Sequence, residues 1–315
     1  MLKGFDMYTK ISGLLSVIMC FILVGSSYPV AKEAMDSIPT WTFTCISFAI
    51  GFIFLLPFTL FREKTNWFNI SLKDSLMISV LALLGAVLYT VFLLYGLPTT
   101  TAISASVITS ATPAVVLVIS VLFFKEKLKL NASISVILAI ISVVVMTLPG
   151  SQGSSNNTLT GLVFLSLSTL SNAVNIIVAN KVSTSLKPLT MAAGVCLAGA
   201  VFSLPMAVHE SQSFSLLSIT RGQAGVLLYY GVFVWALAYM FFFKGIGHIS
   251  AASAGMCVAL TPVASMACSA LFFGDAVKHT DLIATVIIIF SVIFSEVDLF
   301  KLFKKKTATR LPREI

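Results

Sequence analysis

The chain has 315 residues, of which 58% are hydrophobic and only 10% charged, with a net charge of +8. A soluble domain carries about a quarter of its residues charged, so this composition excludes a water-soluble globular fold and points to a bilayer. The five cysteines all lie in apolar runs without a C-x-x-C pair and the three histidines are far apart, which argues against a disulfide framework, a metal centre or any other cofactor.

Taken in order, charge-poor apolar runs near the ~20 residues needed to cross a hydrocarbon core fall at about 11–31, 40–61, 75–96, 99–124, 131–149, 160–180, 189–208, 224–243, 249–273 and 280–299. They predict ten transmembrane helices in an all-α integral membrane protein. The first run follows Lys3 and Lys10 as a secretory signal would, but an equivalent run at 160–180 argues that it is a retained helix.

That equivalence extends along most of the chain. Gly96 returns as Gly245, Ala102 as Ala251, Thr112-Pro113 as Thr261-Pro262, Phe123-Phe124 as Phe272-Phe273 and Glu126 as Asp275, all 149 positions later. Lys32 and Pro39 pair in the same register with Lys181 and Pro188, so residues 10–149 and 159–298 read as one duplicated unit. The expected division is a first five-helix repeat over 1–150 and a second over 151–315, the latter ending in a basic tail. An odd number of spans per repeat makes the second enter from the opposite face, the inverted-topology arrangement of many secondary carriers.

The positive charge follows this topology without needing a nucleic-acid partner. With a cytoplasmic N-terminus, seventeen Lys and Arg residues lie inside and only Lys32, Arg221 and Lys278 outside, which sets both termini in the cytoplasm. Lys125 to Lys129 is basic at its inner end, whereas its counterpart Gly274 to Lys278 lies outside and has lost most of that charge. The tail Lys304-Lys305-Lys306 anchors the orientation and can also attract anionic lipid. The uncharged linker Gly150 to Thr158 joins the repeats, and its Asn156-Asn157-Thr158 sequon reads as a chance match.

Candidate functional residues come from the rare polar groups inside the spans. Ala102, Ser106, Ser110 and Ala114 recur every four residues, as do Ala251, Gly255 and Ala259, and such ladders let two helices approach closely. Pro113 and Pro262 stand mid-span, where each removes a backbone donor and frees the carbonyl four residues earlier, at Thr109 and Val258. Matching breaks in two halves point to a midplane site, and helix kinking or gating is the role expected of both prolines. Asn172 and Asn175 must face inward, where either can contact substrate or staple helices. Thr90, the Thr109 carbonyl, Tyr239 and Trp235 complete the expected substrate site. Tyr28 and Tyr95, near helix ends, read first as an interfacial aromatic belt. The first nine spans hold no ionisable residue in their centres, which disfavours a carboxylate relay, and no Walker loop supports direct use of ATP.

With ten spans in two repeats, the paired Thr-Pro motifs and the paired Phe-Phe-x-Glu/Asp at Phe123 to Glu126 and Phe272 to Asp275, the chain resembles the EamA family of the drug/metabolite transporter superfamily. The Trp-Gly that typically opens the first helix of that family is half kept, as Val24-Gly25 with Tyr28 following. The resemblance implies an inner or plasma membrane carrier, not an enzyme. Such a carrier commonly exports amino acids, related metabolites or toxic compounds by alternating access, from a cavity lined by helices 1, 3, 4, 6, 8 and 9. Expected partners are a small-molecule substrate and membrane lipid, with the protein a monomer or homodimer. A lipid flippase would need a lateral opening, and an intramembrane enzyme would need converging acid and base groups that the sequence does not supply.

Overall fold

Backbone amides inside a bilayer have no water to bond, so a spanning chain must close its hydrogen bonds within each segment. In the computed structural model of the chain every described element is accordingly helical. The structure describes residues 2–35, 38–124, 158–181, 186–249, 260–274 and 279–296, together with Ile134, Ile137, Leu138, Ile141, Val145, Ala254, Cys257, Val258 and Val277. Outside these residues lie most of the expected span 131–149, the Lys125 to Lys129 segment and its counterparts Asp275 and Lys278. So do all of the linker but Thr158, the ladder residues Ala251, Gly255 and Ala259, and the basic tail.

The helices are α1 (Leu2–Met35), α2 (Thr40–Phe58), α3 (Leu72–Leu81), α4 (Tyr89–Gly96), α5 (Ala102–Thr109), α6 (Thr112–Phe124), α7 (Leu159–Lys181), α8 (Pro188–Glu210), α9 (Arg221–Tyr229), α10 (Ala238–Ile246), α11 (Leu260–Cys268) and α12 (His279–Glu296). Four π-helical stretches extend or join them: Thr59–Glu63, Ala82–Leu88, Tyr230–Leu237 and Ser269–Phe273. Six segments are long and apolar enough to cross a membrane, Thr9–Lys32, Thr40–Glu63, Leu72–Thr99, Leu159–Asn180, Pro188–Glu210 and Arg221–Ile246, and shorter apolar helices cover Ala102–Val116 and Leu260–Phe273. Large apolar side chains such as Leu15, Ile53, Leu167, Leu204 and Val286 point outward, as they do where lipid is the solvent.

The third and eighth spans are built alike. Ser71 caps α3 by accepting from the Asp74 amide at 3.1 Å, and Thr220 caps α9 in a full capping box with Gln223. Each span then passes through a π-helical stretch, and the last residues of the two stretches, Leu88 and Leu237, stand 149 positions apart. A π turn shifts the backbone register and leaves carbonyls looking for donors. Here side chains of other helices supply them: Ser171 donates to the Leu84 carbonyl at 2.7 Å and Tyr239 to the Gly85 carbonyl at 2.6 Å.

Helix α1 packs against α10 and α11, while α7 packs against α4 and α6. Bare backbone makes the approach possible. A Cβ placed on Gly245 would stand 2.5 Å from the Gly13 carbonyl oxygen, and one placed on Gly96 would stand 3.2 Å from the Gly161 carbonyl oxygen. In hydrocarbon, where apolar side chains gain little by leaving lipid, such contacts are a main source of helix association.

Helices α2 and α8 form an antiparallel pair with a reciprocal seal. Glu63 closes the α2 span, and its carboxylate accepts from the amides of Leu189 and Thr190 at 3.1 and 2.8 Å and from the Thr190 hydroxyl at 2.6 Å. Glu210 closes α8, and its carboxylate accepts from the amides of Trp41 and Thr42 at 3.3 and 2.8 Å and from the Thr42 hydroxyl at 2.9 Å. The last residue of each span thus caps the first turn of the other helix, where orphan N–H groups and the helix dipole favour an anion. Glu210→Ala and Glu63→Ala should each lower unfolding stability in detergent by about 1–2 kcal/mol. Because the two sites lie at opposite ends of the pair, the double variant should show the sum. Coupling above about 1 kcal/mol would contradict independent caps.

Candidate functional site

The fourth span breaks where proline dictates. Helix α5 ends at Thr109, and α6 restarts at Thr112-Pro113 after a turn through Ser110 and Ala111. Pro262 is the third described residue of α11, and Cys257 and Val258, before Ala259, which lies outside the described residues, are helical as well. The Thr109 carbonyl that Pro113 releases accepts from the Thr112 hydroxyl at 2.5 Å, while the Ser110 hydroxyl donates to the Ser106 carbonyl at 2.7 Å and stands 3.4 Å from that of Val258.

A cavity of about 430 Å³ of atom-free space, its open mouth included, lies among the middle turns of four spans. Cys20, Phe21 and Val24 of α1 form one wall, and Gly85 and Tyr89 of the third span another. Asn172 and Asn175 of α7 face Val234, Trp235, Ala238, Tyr239 and Phe242 of the eighth span. Of the residues expected at a substrate site, Asn172, Asn175, Trp235 and Tyr239 are therefore together.

Thr90 and Thr109 are not part of this lining. Thr90 is 1% exposed, and its hydroxyl has no partner among the described residues. The Thr109 hydroxyl bonds the Tyr28 hydroxyl at 2.6 Å, and its carbonyl is held by Thr112, so neither group of Thr109 is open to a solute in this conformation. The cavity lining comes from helices 1, 3, 6 and 8 of the six expected; none of it comes from the fourth span or from the described part of the ninth.

The cavity's polarity is unusual in what remains uncommitted. The Trp235 indole N–H donates to the Ser47 hydroxyl at 3.1 Å, the Tyr239 hydroxyl donates to the Gly85 carbonyl, and the Tyr89 hydroxyl pairs with that of Tyr28 at 2.9 Å. The aromatic donors are thus committed, and the rings pack in a row, with Phe48 against Trp235 at 4.3 Å, Trp235 on Tyr239 at 5.7 Å and Tyr239 on Phe243 at 5.8 Å between centroids. The side chains of Asn172 and Asn175 have no hydrogen-bond partner among the described residues, although Asn175 is only 5% exposed. Both amides border the cavity, Asn172 half-buried and Asn175 nearly buried, and can bond something that enters it. The Asn175 amide rests directly on Gly85, where a Cβ would fall 2.3 to 2.5 Å from its Cγ, Nδ2 and Oδ1.

Beside the cavity lies a closed tyrosine cluster. Tyr28, interfacial on the sequence pattern, is instead 1% exposed and links α1 to Tyr89 and Thr109. Next to it the Tyr230 hydroxyl donates to the Ser27 carbonyl at 2.9 Å, and Ser26 pairs with Tyr229 at 2.6 Å. Tyr95 is 42% exposed and accepts from the Trp41 indole.

Sequence reasoning missed Gly85, Cys20 and Phe21. Only Gly85 carried a signal, a lone glycine within an apolar span, which marks close approach. Among the described residues no group of His, Cys, Asp or Glu is arranged to hold a metal ion.

An uncharacterized transporter of Bacillus subtilis (strain 168), YetK, is 26% identical over 276 residues, covering 87% of this chain and 83% of its own length. A second from the same organism, YvbV, is 25% identical over 280 residues, covering 88% and 90%. One solved crystal structure superposes with a TM-score of 0.67 over 93% of this chain and 99% of its own, at 16% identity, a likeness of fold. The profile of the EamA-like transporter family matches residues 11–148 and again residues 159–296. The chain is therefore a multi-pass membrane transporter belonging to the EamA-like transporter family.

Proposed function

We propose that this protein is a secondary carrier that exports a small polar or amphipathic metabolite across the cell membrane by alternating access. Ten helices would form two inverted five-helix repeats, with both termini in the cytoplasm and rocking of the halves exposing the cavity to either side. The observation that carries this reading is the uncharged cavity among mid-span residues, where two carboxamides on α7 lack partners among the described residues and face a stacked aromatic wall. Asn172 and Asn175 would hold the solute, Trp235 and Tyr239 would flank it, and the break at Pro113 and a kink at Pro262 would let the fourth and ninth spans bend. Thr90 and Thr109 would join the site only in another conformation of the cycle.

The reading is tested with purified protein in liposomes and a broad panel of labelled amino acids, nucleobases and other metabolites. At least one solute should move faster than through protein-free vesicles, and Asn175→Ala should weaken its apparent affinity about tenfold, the loss of one or two hydrogen bonds. A panel in which no solute moves would remove the carrier reading, and unchanged flux and affinity in the variant would remove Asn175 from the site.

A further inference from the structure

We propose that the solute taken by this cavity is an uncharged, planar heterocycle that carries an N–H donor and a carbonyl acceptor side by side. The inference rests on the carrier reading above and narrows it to a chemical class. Its first support is charge: no residue of the lining is ionised at neutral pH. An ammonium or carboxylate brought into the cavity would lose its hydration and meet no counter-ion among the lining residues, which opposes its entry. Zwitterionic amino acids therefore fit poorly.

The second support is which polar groups are spent. The donors of Trp235 and Tyr239 bond Ser47 and Gly85, and Tyr89 bonds Tyr28, so the rings offer a solute aromatic carbon rather than a hydrogen bond. An aromatic wall favours a flat partner, packed edge to face or offset against it. The carboxamides of Asn172 and Asn175 are what is left to recognise polarity. Each offers an N–H₂ donor beside a carbonyl acceptor, and the complement of that pattern is a ring edge bearing an acceptor beside an N–H, as in a cyclic amide. Asparagine pairs in the same bidentate way with nucleobase edges elsewhere. The bare backbone of Gly85 under Asn175 fixes the depth at which the amide is presented.

The probe is labelled uracil, a small lactam with two such edges, in proteoliposomes and vesicles without protein. Protein-dependent uracil flux is expected, unaffected by about a hundredfold excess of L-threonine, which the uncharged lining should not hold. Unlabelled uracil should compete at least about tenfold better than the ring methylated on both nitrogens, which keeps both carbonyls but lacks the N–H donors. Asn175→Leu should lower the flux at least about tenfold; should that variant not reach a monodisperse folded form, Asn172→Leu on a partly buried position gives the same readout. Equal competition by the dimethyl compound would overturn the edge recognition. Movement of threonine, or of any charged panel member, without uracil would overturn the substrate class and leave the carrier reading standing. If nothing on the panel moves, both fall.

Discussion

Gly85→Ala is expected to abolish transport, lowering flux by about a hundredfold or more while the protein still inserts in the membrane. The added methyl would lie 2.3 Å from Asn175 Cγ, a distance that real side chains do not show. Asn175 is 5% exposed, so its amide can clear the methyl only by swinging into the cavity that it borders, away from the position proposed to hold the solute. The Gly85 carbonyl is meanwhile tied to Tyr239, so the third span cannot rotate away without breaking that bond. The measurement is proteoliposome flux of whichever solute the native protein moves, with size exclusion as the check on folding. The double variant Gly85→Ala with Asn175→Ala should regain native monodispersity, because the second change removes the obstacle, yet stay poor in transport. Flux close to native in Gly85→Ala alone would show that Asn175 is free to leave the cavity and that the proposed site is wrong.

Gly245→Val should be strongly destabilising, at roughly 3 kcal/mol. At this position the obstruction is the backbone oxygen of Gly13 at 2.5 Å, together with Val17 Cγ2 at 2.6 Å. A carbonyl oxygen within a helix cannot change rotamer, so α1 and α10 must move apart and give up their contact. Two residues on, Gly247 has an ordinary backbone φ of −73°, and a Cβ added there would meet nothing within 4 Å. Gly247→Val is therefore the control, expected within about 0.5 kcal/mol of native. Unfolding in mixed detergent compares the two. A difference under about 1 kcal/mol would mean that the α1 to α10 contact contributes little.

Six of the expected spans, with shorter apolar helices at Ala102–Val116 and Leu260–Phe273, are legible because lipid imposes a coarse rule, long apolar segments with charge only at their ends. Asn172 and Asn175 are legible for the same reason, since an amide in hydrocarbon must turn inward. What the sequence does not convey is which inward group meets which. Thr90 and Asn175 look alike as buried polar residues, but Asn175 borders the cavity while Thr90 does not. Thr109 draws notice through its freed carbonyl, and the neighbouring Thr112 hydroxyl takes up that carbonyl within the same turn. Tyr28 near a helix end follows the interfacial pattern until tertiary packing places its hydroxyl between two other helices. Glu63 and Glu210 look like ordinary surface carboxylates at helix ends; their role depends on a partner helix far away in the chain.

That separation has a consequence for biosynthesis. The amide of Thr42 waits for an acceptor that is made 168 residues later, and Glu63 waits 127 residues for Thr190. A nascent polypeptide stalled before position 189 carries neither seal. Completion of the pair is thus a late event in insertion. Quality-control proteases that sample frayed helix ends would meet a loose substrate until the seventh span arrives, and a fastened one afterwards.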